Sequence, residues 1–202
     1  MDFWSTFARF YDVAEALNGK VYREMVNITT QLVPHGAAVL DCAAGTGELT
    51  LAAARKAERV VCTDYSGEML KVARKKAKKR RFVNIGFERA NIFRLDYADE
   101  TFDIVIAGNV LHLLDNPEKA VRELCRVTKS GGKILLPTFM TRDKSAISET
   151  LLKAYKRLGF EPNAEYSPKE YVQMLKGCDA GEVKSKLIKG TVPCCYAVII
   201  KA

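Results

Sequence analysis

No apolar run in this 202-residue chain reaches the roughly 18 residues needed to span a bilayer, so a membrane-crossing helix is excluded. The opening Met1-Asp2-Phe3-Trp4-Ser5 lacks a basic region followed by an apolar stretch, so no secretory signal is expected. The six cysteines (Cys42, Cys62, Cys125, Cys178, Cys194 and Cys195) include no Cys-x-x-Cys pair, and the chain has only 2 histidines. Neither a zinc site nor a disulfide framework is indicated, and no metal is expected. Reduced thiols in a cytoplasmic protein fit better, several of them as small apolar residues of strands. There is no internal repeat, no low-complexity segment and no Pro/Gly/Ser-rich linker, which excludes a repeat protein and points to a single domain over residues 1–202.

Acids are absent from one segment. Lys71 to Arg81 carries Lys71, Arg74, Lys75, Lys76, Lys78, Lys79, Arg80 and Arg81 with no Asp or Glu. This run accounts for the net charge of +8, and the rest of the chain is close to neutral. The run falls on a helix whose apolar side is Met69, Val72, Ala73 and Ala77, so its plain reading is a solvated outer face. A patch for nucleic acid or anionic lipid is the sharper alternative. No aromatic interleaves the run to stack on bases, which weakens the nucleic-acid version.

What is present is a regular alternation. Residues 3–33 read as one or two helices, with Phe3, Phe7, Phe10 and Tyr11, then Val21, Met25, Ile28 and Leu32, at helical spacing. They end at Pro34-His35-Gly36, a turn in which His35 has no assigned role. Strands follow at Ala37–Leu40, Arg59–Asp64, Phe82–Glu88, Thr101–Ala107 and Lys133–Pro137. The helices between them run from Glu48 to about Ala57, from Ser66 through the basic run, and from Pro117 to Thr128. Ala146–Leu158 and a short helix opened by Ser167-Pro168-Lys169-Glu170 precede two closing strands, Val183–Lys189 and Tyr196–Lys201. Alternation predicts an α/β doubly wound, Rossmann-like sheet of seven mostly parallel strands. The link between the last two strands is too short for a crossover, so one of them runs antiparallel. Residues 1–33 then form a helical cap, 37–138 a cofactor-binding core, and 139–202 the C-terminal helices and final strand pair.

The core is organised around Val39-Leu40-Asp41-Cys42-Ala43-Ala44-Gly45-Thr46-Gly47-Glu48-Leu49-Thr50, a strand, a small-residue turn and a helix start. Gly45 and Gly47 allow a sharp bend and close approach of the backbone to a ligand. In such a sheet, ligands sit beyond the carboxyl ends of the strands. Asp64, at the end of the second strand, is placed to accept hydrogen bonds from both ribose hydroxyls of an adenosine. Asp41, just before the turn, would repel a pyrophosphate and suits a ligand carrying an ammonium group. S-adenosylmethionine has that group and no phosphate.

The same stretch resembles motif I of the class I S-adenosylmethionine-dependent methyltransferases. The resemblance continues through Asp64-Tyr65-Ser66-x-x-Met69-Leu70, Ala90-Asn91-Ile92, Phe102-Asp103-Ile104-Val105, Val110-Leu111-His112-Leu113 and Arg122-Glu123-Leu124-x-Arg126-Val127-x-Lys129-x-Gly131-Gly132. It covers about residues 7–138. Within the class the chain is most similar to the ubiquinone/menaquinone-biosynthesis methyltransferases and their methyltransferase type 11 relatives. That similarity rests on Phe7-x-x-Phe10-Tyr11-Asp12 and on Ala43 in the turn, where most of the class has Gly. The resemblance implies that Gly45, Thr46 and Gly47 line the methionine end, with Ala43 also in the cofactor site, and that Asp64 takes the ribose. It places Tyr65 and Met69 around the adenine, Asn91 and Ile92 at its edge, and Gly108 and Asn109 on the floor. Tyr11 would close over the sulfonium. The stretch Thr138 to Pro168 is shorter than in the quinone enzymes, so the resemblance implies the reaction class and leaves the acceptor open.

Methyl transfer from a sulfonium is an in-line displacement that holding the two reactants in line accelerates most. A phenol or carbon acceptor would gain from a base, and His112, just beyond the fourth strand at the expected substrate-facing rim, is the candidate. Cys194-Cys195 are expected to be strand residues, away from the cofactor loops. The favoured reading is an S-adenosylmethionine-dependent enzyme acting on a small-molecule acceptor. The alternatives are a nucleic-acid methyltransferase docking through Lys71–Arg81, a non-catalytic S-adenosylmethionine-binding module, and a nicotinamide reductase.

Overall fold

Apolar residues at consecutive positions of the central strands turn to opposite faces, and both faces are covered. In the computed structural model, which describes residues 18–142 and 163–202, Val39, Ile104, Ile106 and Leu135 join one buried cluster. Their neighbours Leu40, Val105, Ile134 and Leu136 join the other. This period-two alternation between two covered faces is why the strands read as unbroken apolar runs.

The elements of the described chain are, in order, α1 (Gly19–Leu32), β1 (Ala38–Cys42), α2 (Glu48–Ala53), β2 (Arg59–Asp64), α3 (Gly67–Lys79), β3 (Ile85–Arg89), β4 (Phe102–Ile106), a 3-10 turn (Leu111–Leu113), α4 (Pro117–Val127), β5 (Thr128–Phe139), α5 (Pro168–Gly177), β6 (Glu182–Ile188) and β7 (Cys194–Ile200). They build a 7-stranded sheet of order β3-β2-β1-β4-β5-β7-β6. β1 pairs in parallel with β2 and β4, and β4 with β5, whereas β7 runs antiparallel to both β5 and β6. The seven-stranded, mostly parallel Rossmann-like sheet with an antiparallel C-terminal strand is the architecture expected. The helical cap Phe3–Tyr11 and the helix Ala146–Leu158 lie outside the described residues.

Helices pack where their apolar faces point. On α1, Val21, Met25 and Thr29 are buried, and Val21 and Met25 meet Val39, Ile106 and Tyr196. Thr29 Oγ1 and the Tyr196 hydroxyl form a buried hydrogen bond of 2.6 Å that ties α1 to β7. On the opposite face, Ala120, Val121 and Leu124 of α4 and Tyr171 and Leu175 of α5 enter the larger cluster. Tyr171 is fully buried and donates its hydroxyl proton to the Leu136 carbonyl at 3.1 Å. Helix starts follow their caps: Ser66 accepts from the Met69 N–H, Asn116 from the Lys119 N–H, and Ser167 with Glu170 closes a capping box.

Among the boundaries that differ from the sequence reading, three have a clear local reason, while β1 runs on to Cys42 and β7 begins at Cys194. β3 begins at Ile85, because the Phe82 N–H closes the end of α3 on the Ala77 carbonyl and the Asn84 amide donates to the carbonyls of Ala54 and Ala57. α2 stops at Ala53, where the chain tightens so that the Lys56 N–H also reaches the Ala53 carbonyl. β5 is longer than Lys133–Pro137, extending from Thr128 to Phe139 through Gly131-Gly132, with its register to β4 shifting between Phe102 and Ile104.

Replacing Tyr196 with Phe removes one partner of a buried hydroxyl pair and leaves the volume unchanged. The expected loss is about 1 kcal/mol of unfolding free energy, read as a lower urea midpoint with an unchanged slope.

Candidate functional site

The sheet order reverses between β1 and β4. The chain steps outward from β1 to β2 and β3, then returns to the other side, which leaves a crevice beyond the carboxyl ends of β1 and β4. The turn after β1 forms one wall. Ala43, Gly45 and Gly47 all have positive φ, at 52°, 56° and 84°. Gly47 has no alternative, since an added Cβ would lie 2.9 Å from Ala73 Cβ of α3. Gly108, after β4, forms the floor, and a Cβ there would come within 2.6 Å of Leu49. Asp64 braces the turn: its carboxylate accepts the Gly45 N–H and the Ser66 N–H, each at 2.8 Å.

The crevice has two connected compartments. The larger, of about 320 Å³, is lined by Ala43, Gly45, Asp64, Tyr65, Met69, Ala90, Asn91, Ile92, Phe93, Gly108, Asn109, Val110, Leu113 and Leu114. The smaller, of about 30 Å³, lies under Tyr22, Met25, Asp41, Ala44, Glu48 and Leu49, and shares Ala43, Gly45, Gly108 and Asn109 with the larger. Among the described residues, every charged side chain lining either compartment is a carboxylate: Asp64 in the first, Asp41 and Glu48 in the second. A pyrophosphate finds no counter-charge there, whereas a cationic ligand does.

Asn109 also points to a ligand. It is buried, holds a φ of 54°, and lines both compartments. Its N–H donates to the Pro137 carbonyl at 2.8 Å, but its Oδ1 has no hydrogen-bond partner among the described residues. A buried carbonyl without a donor is costly unless a ligand supplies one. Asp41 is the second such group. Its carboxylate is buried and accepts the Thr50 hydroxyl proton at 2.5 Å. Burial, with a smaller contribution from the nearby Asp64 charge, pushes its pKa up to about 7. An orphaned acceptor and a carboxylate poised near neutrality, side by side in the small compartment, fit the ammonium of an aminoacyl ligand.

The structure thus brings together Asp41, Ala43, Gly45, Asp64, Tyr65, Met69, Asn91, Ile92, Gly108 and Asn109. Thr46 and Gly47 line neither compartment. Thr46 is buried and accepts from Lys76 Nζ at 2.9 Å, so both residues shape the turn from behind. Tyr11 lies outside the described residues. His112 is not at the rim. It is 1% exposed on the 3-10 turn, it lines neither compartment, and burial lowers its pKa to about 4. The turn places Val110, Leu113 and Leu114 at the cavity and directs the imidazole inward. The cysteines are unbridged. Burial pushes the Cys42 thiol up to about 12 and raises those of Cys62, Cys194 and Cys195, which keeps them as neutral thiols near pH 7. Sequence reasoning missed Tyr22, Met25, Phe93 and the Leu113-Leu114 pair. Met25 was legible only as a core position, and Tyr22 lies beside the apolar stripe of its helix.

Residues 40–136 match the methyltransferase domain family. The ubiquinone/menaquinone biosynthesis C-methyltransferase of Bdellovibrio bacteriovorus is 40% identical over 106 residues, 52% of this chain and 45% of its own. The enzyme of the same name from Idiomarina loihiensis is 33% identical over 161 residues, 76% of this chain and 62% of its own. The chain spans about half the length of the curated relatives it matches. The solved structure of an S-adenosylmethionine-dependent methyltransferase from Aquifex aeolicus superposes with a TM-score of 0.70 at 21% identity, covering 99% of both chains, which shows a common fold. The chain has the fold of the S-adenosylmethionine-dependent methyltransferases, and its match to the methyltransferase domain family covers a little under half of its length.

The raised pKa of Asp41 has a consequence for binding. The ammonium requires the carboxylate form, so affinity for S-adenosylhomocysteine is expected to rise with pH and level off above about 7, with proton release on binding below that value. In the ligand-free protein the same shift runs the other way. The folded state holds the proton more tightly than the unfolded chain, so this contribution to stability falls as pH rises from about 4 to about 7. Titration calorimetry in two buffers of different ionisation enthalpy measures both the affinity and the proton count. A pH-independent affinity between pH 5.5 and 8 would remove Asp41 from the ammonium site.

Proposed function

We propose that this protein transfers a methyl group from S-adenosylmethionine to a small-molecule acceptor, in the cytoplasm, within the crevice at the ends of β1 and β4. The observation that carries the reading is the two-compartment cavity whose charged lining among the described residues is Asp64, Asp41 and Glu48, with Asn109 Oδ1, which has no partner among those residues, lining both compartments.

In this reading Asp64 releases its backbone donors, wholly or in part, to take the ribose hydroxyls. Tyr65, Met69, Ile92 and Phe93 enclose the adenine, and Asn91 meets its edge. Asp41 and the Asn109 carbonyl hold the ammonium. When bound, S-adenosylmethionine supplies an activated methyl on a sulfonium that leaves as a neutral thioether. The protein's task is to orient that centre against the acceptor and to exclude water, and effective molarities for such positioning are worth up to about 7–11 kcal/mol. The carboxylates that line the described cavity are taken up by the ribose, the ammonium and the Lys76 pair, so we assign the displacement no side-chain base. The backbone carbonyl of His112 accepts the Ala164 N–H at 3.1 Å and ties the 3-10 turn to the segment before α5, and we assign the buried imidazole no catalytic role. A small-molecule acceptor is favoured over nucleic acid because no cation lines the crevice to meet a phosphodiester backbone. The unbridged thiols suit a reducing compartment.

Two measurements test this. Calorimetry with S-adenosylhomocysteine is expected to show micromolar binding, weakened at least ~10-fold by Asp64→Ala, in line with the loss of a charged hydrogen bond. Asp64→Asn and a melting curve separate lost ligand contacts from a loosened turn. Incubation with labelled S-adenosylmethionine and a fractionated cell extract is expected to place the label in a low-molecular-weight fraction. Label confined to RNA would sink the small-molecule reading.

A further inference from the structure

The basic run of the sequence is more than a solvated face. Lys71, Arg74, Lys75, Lys78 and Lys79 are exposed, but Lys76 and Arg80 turn toward α2. Because α2 has only 6 residues, α1 and α3 stand on either side of it like banks, and a groove of about 680 Å³ runs between them. Its lining holds four cations, Arg23 from α1, Arg55 just past α2, and Lys76 and Arg80 from the run, against one acid, Glu48. Glu48 is shared by Lys76 at 3.0 Å and Arg80 at 3.4 Å. Among the described residues, Arg23 and Arg55 have no ion-pair partner. Both are exposed, so their guanidinium groups are available to a ligand.

The groove is continuous with the cofactor crevice, since Tyr22 and Glu48 line both the groove and the small compartment beneath Asp41. We propose that this groove is a binding site for a phosphate-bearing small molecule. Resting on the reading of the small compartment as the methionyl end of the cofactor site, we further propose that the ligand is the methyl acceptor, held by its phosphate. Two unpaired guanidinium forks match phosphate oxygens bidentately, and Lys76 adds a point charge. The cofactor's own carboxylate carries one charge beside its own ammonium, a poor match for the two arginines Arg23 and Arg55. A polynucleotide is disfavoured because, among the described residues, Tyr22 is the one aromatic lining the groove. Its ring packs edge-on against Phe139, with centroids 5.6 Å apart, and offers no free stacking platform. A lipid surface is disfavoured because none of the exposed large apolar residues, Tyr65, Val83 and Leu187, lines the groove.

The test is titration calorimetry with inorganic pyrophosphate, on the protein alone and saturated with S-adenosylhomocysteine. The comparison is with the doubly substituted Arg23→Ala, Arg55→Ala chain, checked by its melting curve. Pyrophosphate is expected to bind in both states. The double substitution is expected to weaken it at least ~10-fold, one charged contact or more, while S-adenosylhomocysteine affinity stays within about twofold. No pyrophosphate binding, or equal binding by the variant, overturns the site. Displacement of pyrophosphate by S-adenosylhomocysteine overturns the acceptor assignment and gives the groove to the cofactor carboxylate. A single-stranded RNA 12-mer that binds a hundredfold tighter than pyrophosphate and depends on the same arginines overturns the small-molecule form. Pyrophosphate binding without any S-adenosylhomocysteine binding leaves the anion site standing and removes the reading of the crevice on which the acceptor role rests.

Discussion

A carboxylate buried at the end of the central strand sets the terms for the rest of this molecule. Asp41 follows Val39 and Leu40, two residues of β1 whose side chains are wholly inside, and among the described residues its side-chain hydrogen-bond donor is the Thr50 hydroxyl in the first turn of α2. That bond pins α2 to the strand across the turn. The turn between them can then be built only from residues that tolerate positive φ and, at Gly47, the absence of a Cβ. The acid at the end of the next strand, Asp64, braces the same turn from the other side. Two carboxylates and the few residues between them therefore define a crevice wall that is negative and shallow, and that sits where the sheet order reverses.

Much of this was legible in the chain because it rests on local chemistry. The acid before the turn, the glycines at Gly45 and Gly47 and the acid closing the second strand each impose one physical constraint, and together they discriminate a cationic adenosine ligand from a dinucleotide. The antiparallel closing strand was legible from the length of a linker. His112 was misplaced because its sequence position fixes the turn but not the direction in which a 3-10 turn points its second side chain. Tyr22 and Asn109 show the same limit from the other side. Tyr22 joins the crevice through the packing of α1 over β7, and the unmet acceptor of Asn109 becomes visible only once its surroundings are known.

The basic segment shows how charge is redistributed by packing. In the sequence it is one block. In the fold it divides into an outer set facing solvent and an inner pair that shares Glu48 with the turn. The inner pair acquires company from α1 and from the end of α2, two elements far from it in the chain, so the electrostatic feature of interest belongs to no single segment. The negative crevice and the positive groove meet at Tyr22 and Glu48, an arrangement that separates ligands by sign before any specific contact is made.

The position of β7 has a consequence for assembly. It lies between β5 and β6, antiparallel to both, and β6 has no other strand to pair with. β6 precedes β7 in the chain but cannot join the sheet until β7 has docked against β5. The hairpin must therefore either form first and add as a unit or wait, with the apolar edge of β5 uncovered, for residues that come later. Cys194 and Cys195, buried where β7 meets both neighbours, are then among the last side chains to leave solvent. Their thiols are reactive during folding in a way they are not afterwards, and folding in an oxidising medium would be expected to trap the chain at that step.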